Sequence, residues 1–294
     1  MHAPRNLCVK EDRQIILLII DPQLDFHEGG SLAVPGSTAD AKRIAKMIID
    51  HIDDIGEIFV TLDSHHKKHI AHAAFWSDKE DGTGKAPAPF TSITYQDLVD
   101  KKWFPKDLSL TNHCLSYAKK LKAAKNNFDL TIWPDHCLIG TIGHAVQDDI
   151  HAALRVWSEK NFTKTVKYIH KGMNCLTEMY SAIEAEVPIK TDPSTTLNTE
   201  LLKELQTARR LLICGQAKSH CVNFTTRDIA EHWLKGDAHA QRSYKDIYIL
   251  EDGSSSVQSP FIDFDKISQK FLSDMREKGL VVTTIANAFD GIQQ

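Results

Sequence analysis

The sequence predicts an α/β fold, a Rossmann-like three-layer α/β/α arrangement around a central, mainly parallel six-stranded sheet. Three observations carry that reading. Short apolar runs such as Ile15-Ile-Leu-Leu-Ile-Ile20 and Leu211-Leu-Ile213 lack polar alternation, as expected of strands covered on both faces. Segments with helical apolar spacing alternate with them, and a repeated βα pattern implies parallel pairing through right-handed crossovers. The 294-residue chain is long enough for one large core, so residues 1–294 read as a single domain with a long excursion at about 75–127.

The elements follow in order. The first strand covers Gln14 to Ile20 and ends at Asp21. Helical spacing runs from Thr38 to Ile55, and a second strand, Glu57 to Leu62, leads into Asp63. The excursion contains the Gly/Pro-rich loop Asp81-Gly-Thr-Gly-Lys-Ala-Pro-Ala-Pro89 and closes with a lysine-rich helix from Asn112 to Lys125. Strands are expected at Phe128 to Trp133 and Thr165 to His170, with a helix at Ala145 to Glu159 between them. Helices follow at Thr177 to Glu186 and at Thr199 to Arg209, the second with Asn198 as N-cap. Leu211 to Cys214 and Asp246 to Leu250 are the fifth and sixth strands, with a helix from Cys221 to Leu234 between them. The tail adds a helix near Ile262 to Lys278 and a β-like stretch, Val281 to Ile285.

Three residues at or just beyond predicted strand ends suggest chemistry. Cys221 follows a glycine-containing turn and begins a helix, where backbone N–H groups and the helix dipole lower a thiol pKa and can hold an oxyanion. Asp21 lies at the carboxyl edge of a strand, where open α/β sheets bind ligands, although an aspartate there also serves as an N-cap. Lys171, in Tyr168-Ile-His-Lys-Gly172, lies where a β-rich stretch meets a glycine; most lysines are solvated surface charges. Together they offer an acid/base, a cation and a nucleophile.

These residues resemble the cysteine hydrolases of the isochorismatase-like fold and, within them, the nicotinamidase branch. The resemblance rests on Asp21-Pro-Gln23-Leu-Asp25-Phe26, on Lys171-Gly172, and on a nucleophile motif from Gly215 through Ala217, Cys221, Val222 and Thr225 to Asp228. The branch also carries an Asp/His metal cluster, matched by Asp63-Ser-His65-His66-Lys-Lys-His69-Ile-Ala-His72. A further match is Trp133-Pro-Asp-His136-Cys137-Leu-Ile-Gly140-Thr141-Ile-Gly143.

The resemblance implies a catalytic set of Asp21, Lys171 and Cys221, and an oxyanion hole from the N–H groups of Ala217 and Cys221. It implies a cis peptide at Gln216-Ala217, and metal ligands Asp63, His65, His136 and a further histidine. His72 is favoured for that place because Phe75 follows in the family's register; His69 and His66 are held as exposed alternatives. Phe26 and Trp133 would be the apolar walls for a flat heteroaromatic ring. Asp63 and its histidines suit zinc, with iron or manganese as alternatives. Ser64 replaces an aromatic of the family and would alter pocket shape, while Cys137 reads as packed.

The implied reaction is hydrolysis of nicotinamide to nicotinate and ammonia through a Cys221 thioester, with Lys171 holding Asp21 ionised. A metal-free relative acting on another carboxamide, carbamoyl or ureido substrate remains the alternative, and a non-enzymatic scaffold with structural zinc is a third reading. Net charge of -4 with interspersed signs gives no basic field for nucleic acid. No run suits a membrane span or signal peptide, and the six scattered cysteines, including Cys8, suit reduced thiols. A small-molecule amide substrate, a cytoplasmic location and a homo-oligomer are the expectations, and the excursion leaves a lid or an oligomer contact open as its role.

Overall fold

Six parallel strands form the centre of the structure, a computed structural model that describes residues 15–124, 128–235, 242–259 and 262–291. They are β1 (Ile15–Ile20), β2 (Ile55–Asp63), β3 (Lys167–Lys171), β4 (Arg210–Gly215), β5 (Ile247–Leu250) and β6 (Val281–Thr283). Their order is β6-β5-β4-β1-β2-β3, with every pair parallel. The chain builds outward from β1 to β3 and then returns to the other side of β1 as β4. The order reverses between β1 and β4, and that reversal opens a crevice at the carboxyl ends of the strands.

Strand alternation explains the two cores. Ile16, Leu18 and Ile20 face one way and Ile15, Leu17 and Ile19 the other, all of them buried. The second set packs under α1 (Ser37–Asp50) and α4 (Asp148–Lys160), through Ala41, Ile44, Met47 and Ile48 and through Ile150, Leu154 and Trp157. The first set packs under α3 (Thr111–Ala123), α5 (Thr199–Leu205), α6 (Cys221–His232) and α7 (Phe264–Lys278). Asn198 caps α5 as expected, its side chain accepting from the Leu201 N–H at 3.0 Å.

Several expectations are corrected. Phe128 to Trp133 is not a strand of the central sheet: only Leu130–Thr131 is extended, paired antiparallel with Ser92–Ile93, and Val281–Thr283 takes the sixth place in the sheet. The excursion supplies that partner, so the β-forming residues are used locally. Thr177 to Glu186 is not a helix, because tertiary partners take its backbone groups. The Glu178 N–H donates to Tyr117 Oη at 3.0 Å and the Ala182 N–H to Thr225 Oγ1 at 3.0 Å. The helix expected from Thr38 to Ile55 stops at Asp50, and Ile55 already belongs to β2. Cys8, Gln14 and Lys125, which fall in sequence-based expectations, lie outside the described residues.

The excursion carries α2 (Tyr95–Val99) and α3. Besides Tyr117, its His113 Nε2 donates to Leu176 O at 2.8 Å, so α3 supports the irregular segment that follows Lys171. Among the described residues no helix is long and apolar enough to cross a membrane, and Cys114, Cys137, Cys175, Cys214 and Cys221 are free thiols.

Candidate active site

Asp21 directly follows β1 and turns the chain out of the strand with φ 43°, a left-handed conformation that aspartate tolerates better than most residues. Its N–H donates to Thr61 Oγ1 at 3.0 Å, and the same hydroxyl donates back to Oδ1. Lys171 ends edge strand β3, and its side chain reaches inward past β2. Nζ lies 3.0 Å from Asp21 Oδ2, 3.1 Å from Asp63 Oδ1, 3.1 Å from Met179 O and 3.5 Å from Cys221 Sγ.

Cys221 is the first residue of α6, beyond the loop that follows β4. That loop is possible only with glycine at 215, where φ is 113° and a Cβ would sit 2.0 Å from Ile20 O. The Gln216-Ala217 peptide bond is cis. The N–H groups of Gln216, Lys218, His220 and Val222 donate to Ile20, Ser255, Ala217 and Ala217 carbonyls, whereas those of Ala217 and Cys221 meet no acceptor among the described residues.

Burial dominates the electrostatics. It pushes Asp21 above the usual carboxylate range, an effect that the Lys171 ammonium offsets only in part. It also pushes the Cys221 thiol well up, so the helix terminus does not by itself yield a thiolate. The raised thiol corrects the expectation of a lowered thiol pKa, while at Asp21 the Lys171 ammonium favours the ionised form, as expected, against the stronger effect of burial. For Lys171 burial acts downward, but the Asp21 and Asp63 carboxylates outweigh it and hold the ammonium firmly. A raised carboxyl and a thiol beside one fixed cation are a pair between which a proton can move.

The second cluster lies at the end of β2. His65, His72 and His136 each offer a ring nitrogen, all within 4.8 Å of one another, and all three are buried. Asp63 Oδ2 is 3.0 Å from His65 Nε2 and 3.4 Å from His136 Nε2. The far nitrogens of these two rings donate to backbone carbonyls, His65 Nδ1 to Gly172 O at 3.1 Å and His136 Nδ1 to Pro134 O at 2.8 Å. Such contacts fix ring and tautomer and leave each Nε2 as a ligand lone pair.

His72 is fully buried, yet neither ring nitrogen meets a hydrogen-bond partner among the described residues. Burial, together with His136 and His65, lowers it to about 2, which keeps it in the neutral, ligating form. An orphaned buried imidazole beside two oriented ones and a carboxylate fits a divalent metal.

His69, expected to be exposed, is instead fully buried. Its Nε2 is held at 3.1 Å by Thr177 O, and its Nδ1 accepts from the Ala71 N–H at 3.2 Å, so both nitrogens are occupied. His66 is exposed. Ser64 points away from the cluster by strand alternation, to Leu62 O, His144 and His170, and does not shape the pocket. We expect His72→Ala to weaken zinc binding at least about tenfold and His69→Ala to leave it unchanged, as chelator competition would measure.

Between the two clusters lies a pocket lined by Phe26, Asp63, Trp133, His136, Ala217 and Cys221 among others. Trp133 is braced by its Nε1 donating to Tyr180 Oη at 3.0 Å. Sequence reasoning missed five more residues that line it, the apolar Leu32 and Val257 and the polar Glu178, Tyr180 and His220. Glu178 is buried with one carboxylate oxygen unpartnered, and burial raises its pKa. His220 is partly buried, and desolvation pushes it down to about 3, so it is neutral. Glu178 and Tyr180 sit in the segment expected to be helical, where no local pattern points them at Cys221.

No protein-family profile matches the chain. Two curated relatives do: the nicotinamidase of Saccharomyces cerevisiae, 28% identical over 73% of this chain and 81% of the relative, and that of Escherichia coli, 26% identical over 82% and 83%. Solved structures share the fold. The yeast nicotinamidase bound to the inhibitor nicotinaldehyde matches with a TM-score of 0.61 at 20% identity, covering 92% of this chain and 100% of that one. The Pyrococcus horikoshii pyrazinamidase in complex with zinc matches at 0.50 and 19% identity, covering 92% and 99%. Over most of its length the chain is thus similar to curated nicotinamidases, which are amidohydrolases, and it shares the fold of the solved nicotinamidase structures.

Proposed function

We propose that the chain hydrolyses nicotinamide to nicotinate and ammonia through a thioester on Cys221. The observation that carries this reading is Lys171 Nζ, which contacts Asp21, Asp63 and the Cys221 sulfur at once, with Asp63 and Cys221 lining a pocket that Phe26 and Trp133 also line. The nicotinamidase relatives supply the substrate.

In this scheme the ring lies between Phe26 and Trp133, with its carboxamide carbon at Cys221. Asp21 takes the thiol proton, the S–C bond forms, and the oxyanion accepts from the Ala217 and Cys221 N–H groups. Asp21 then gives that proton to the amide nitrogen, the C–N bond breaks, and ammonia leaves. Water, deprotonated by Asp21, attacks the thioester, and the S–C bond breaks to release nicotinate, with the proton returning to the sulfur. Lys171 keeps the two neighbouring carboxylates from repelling each other throughout.

Asp63, His65, His72 and His136 would hold the metal, zinc being favoured. When bound it supplies a Lewis-acid centre that orients the ring nitrogen or a water. A cytoplasmic location, a homo-oligomer and a role in pyridine nucleotide salvage accompany this reading as proposals, as does a single domain over residues 1–294.

The test is ammonia release by zinc-loaded protein from nicotinamide and from a panel of other carboxamides and ureido compounds. Release from nicotinamide in preference to the panel is the expected result. Release from a panel member alone would keep the chemistry and reject the substrate.

A further inference from the structure

Gln23 belongs to the Asp21-Pro-Gln23-Leu-Asp25 motif, but the reaction scheme gives it no task. It is fully buried. The β1–β2 ladder ends at the pair Ile19 and Val60, and the chain leaves the sheet at Asp21. Strand β2 nevertheless continues through Thr61 and Leu62 to Asp63, paired on its other side with β3 up to Asp63 and Lys171. Its last residues therefore face a gap where β1 should be.

The Gln23 amide fills that gap. Oε1 accepts from the Asp63 N–H at 2.7 Å, and Nε2 donates to the Asp63 carbonyl at 2.7 Å and to His144 O at 3.1 Å. One side chain thus takes both backbone groups of a single residue, as a neighbouring strand would. Only a primary amide of this reach offers both a donor and an acceptor there.

We propose that Gln23 is a positioning residue for the metal site: by clamping the Asp63 backbone it aims the carboxylate that meets His65, His136 and Lys171. The inference rests on the reading of Asp63 and its three histidines as metal ligands. The carboxylate is shared, Oδ1 with Lys171 and Oδ2 with the two imidazoles, so a small rotation of the Asp63 backbone would misplace both. Leucine at this position offers neither hydrogen bond. Glutamate keeps the acceptor, loses the donor, and turns a negative charge toward the Asp63 carbonyl.

The experiment is zinc titration of metal-stripped full-length protein against a chromogenic chelator. It compares wild type, Gln23→Leu, Gln23→Glu and Trp157→Phe. The last removes a buried hydrogen bond to Ile55 O beneath the opposite face of the sheet and controls for lost stability. The expected result is zinc binding weaker by about 10–100-fold in both Gln23 variants and unchanged in Trp157→Phe.

Folded Gln23 variants with wild-type zinc affinity would overturn the inference, as would Gln23 variants that do not fold, since Gln23 would then be a folding residue. Wild-type protein that binds no zinc is a distinct outcome, in which the metal reading falls and takes this inference with it.

Discussion

Cys221→Ala is expected to lower amide hydrolysis by about 10⁶-fold, the scale seen when a hydrolase loses its nucleophile. Alanine keeps the helix start, the oxyanion N–H groups and the pocket, so the loss should fall on kcat while nicotinamide still binds. Cys221 is almost fully buried, and removing one sulfur atom leaves at most a small void, with a cost of about 1 kcal/mol. Zinc content should not change, because the thiol meets Lys171 and Asp21 rather than the histidines. Steady-state kinetics, zinc analysis and urea unfolding on one preparation check all three. Retained turnover would remove the thioester from the scheme.

Lys171→Met should damage both activity and stability. Its ammonium is the cation in contact with two buried carboxylates, Asp21 and Asp63, which sit at 3.0 and 3.1 Å from Nζ. Methionine fills similar volume without the charge, so the variant buries two acids with no cation between them. Breaking a buried ion pair from one side costs about 3–5 kcal/mol. A bound divalent metal would neutralise Asp63, so the metal-stripped variant should lose more in the urea midpoint than the loaded one. Turnover should fall as well, because Asp21, its carboxyl already raised by burial, would be protonated at neutral pH and unable to take the thiol proton. Equal unfolding midpoints for variant and wild type in the metal-stripped form would contradict this reading of the cluster.

The central strands were legible because β1 and β4 are apolar on both faces, a local pattern that little besides a doubly covered strand produces at that length. Asp63, His65 and His136 were legible because each lies in a short motif, and the structure brings all three together with His72. What failed was set by tertiary contacts. Phe128 to Trp133 has strand composition, but Ser92–Ile93 captures it away from the sheet. Thr177 to Glu186 reads as a helix until Tyr117 and Thr225, distant in sequence, take its N–H groups. Glu178 and Tyr180 were hidden with that segment.

The histidine ambiguity has the same origin. His69 and His72 lie three residues apart with similar neighbours, and only the fold shows that Thr177 O and the Ala71 N–H occupy one ring while the other meets no hydrogen-bond partner among the described residues. The acid/base balance was likewise hidden, since desolvation outweighs both the helix terminus at Cys221 and the ammonium at Asp21.

The central claim is a covalent acyl-enzyme, and partitioning by hydroxylamine tests it most directly. Zinc-loaded protein is given nicotinamide with increasing hydroxylamine, and ammonia, nicotinate and nicotinohydroxamate are measured together. A thioester on Cys221 should yield hydroxamate at the expense of nicotinate, with ammonia release undiminished, because the nucleophile intercepts an intermediate formed after the C–N bond has broken. Ammonia and nicotinate released in equal amounts with no hydroxamate at any concentration would mean that water attacks the amide directly, and would contradict the account.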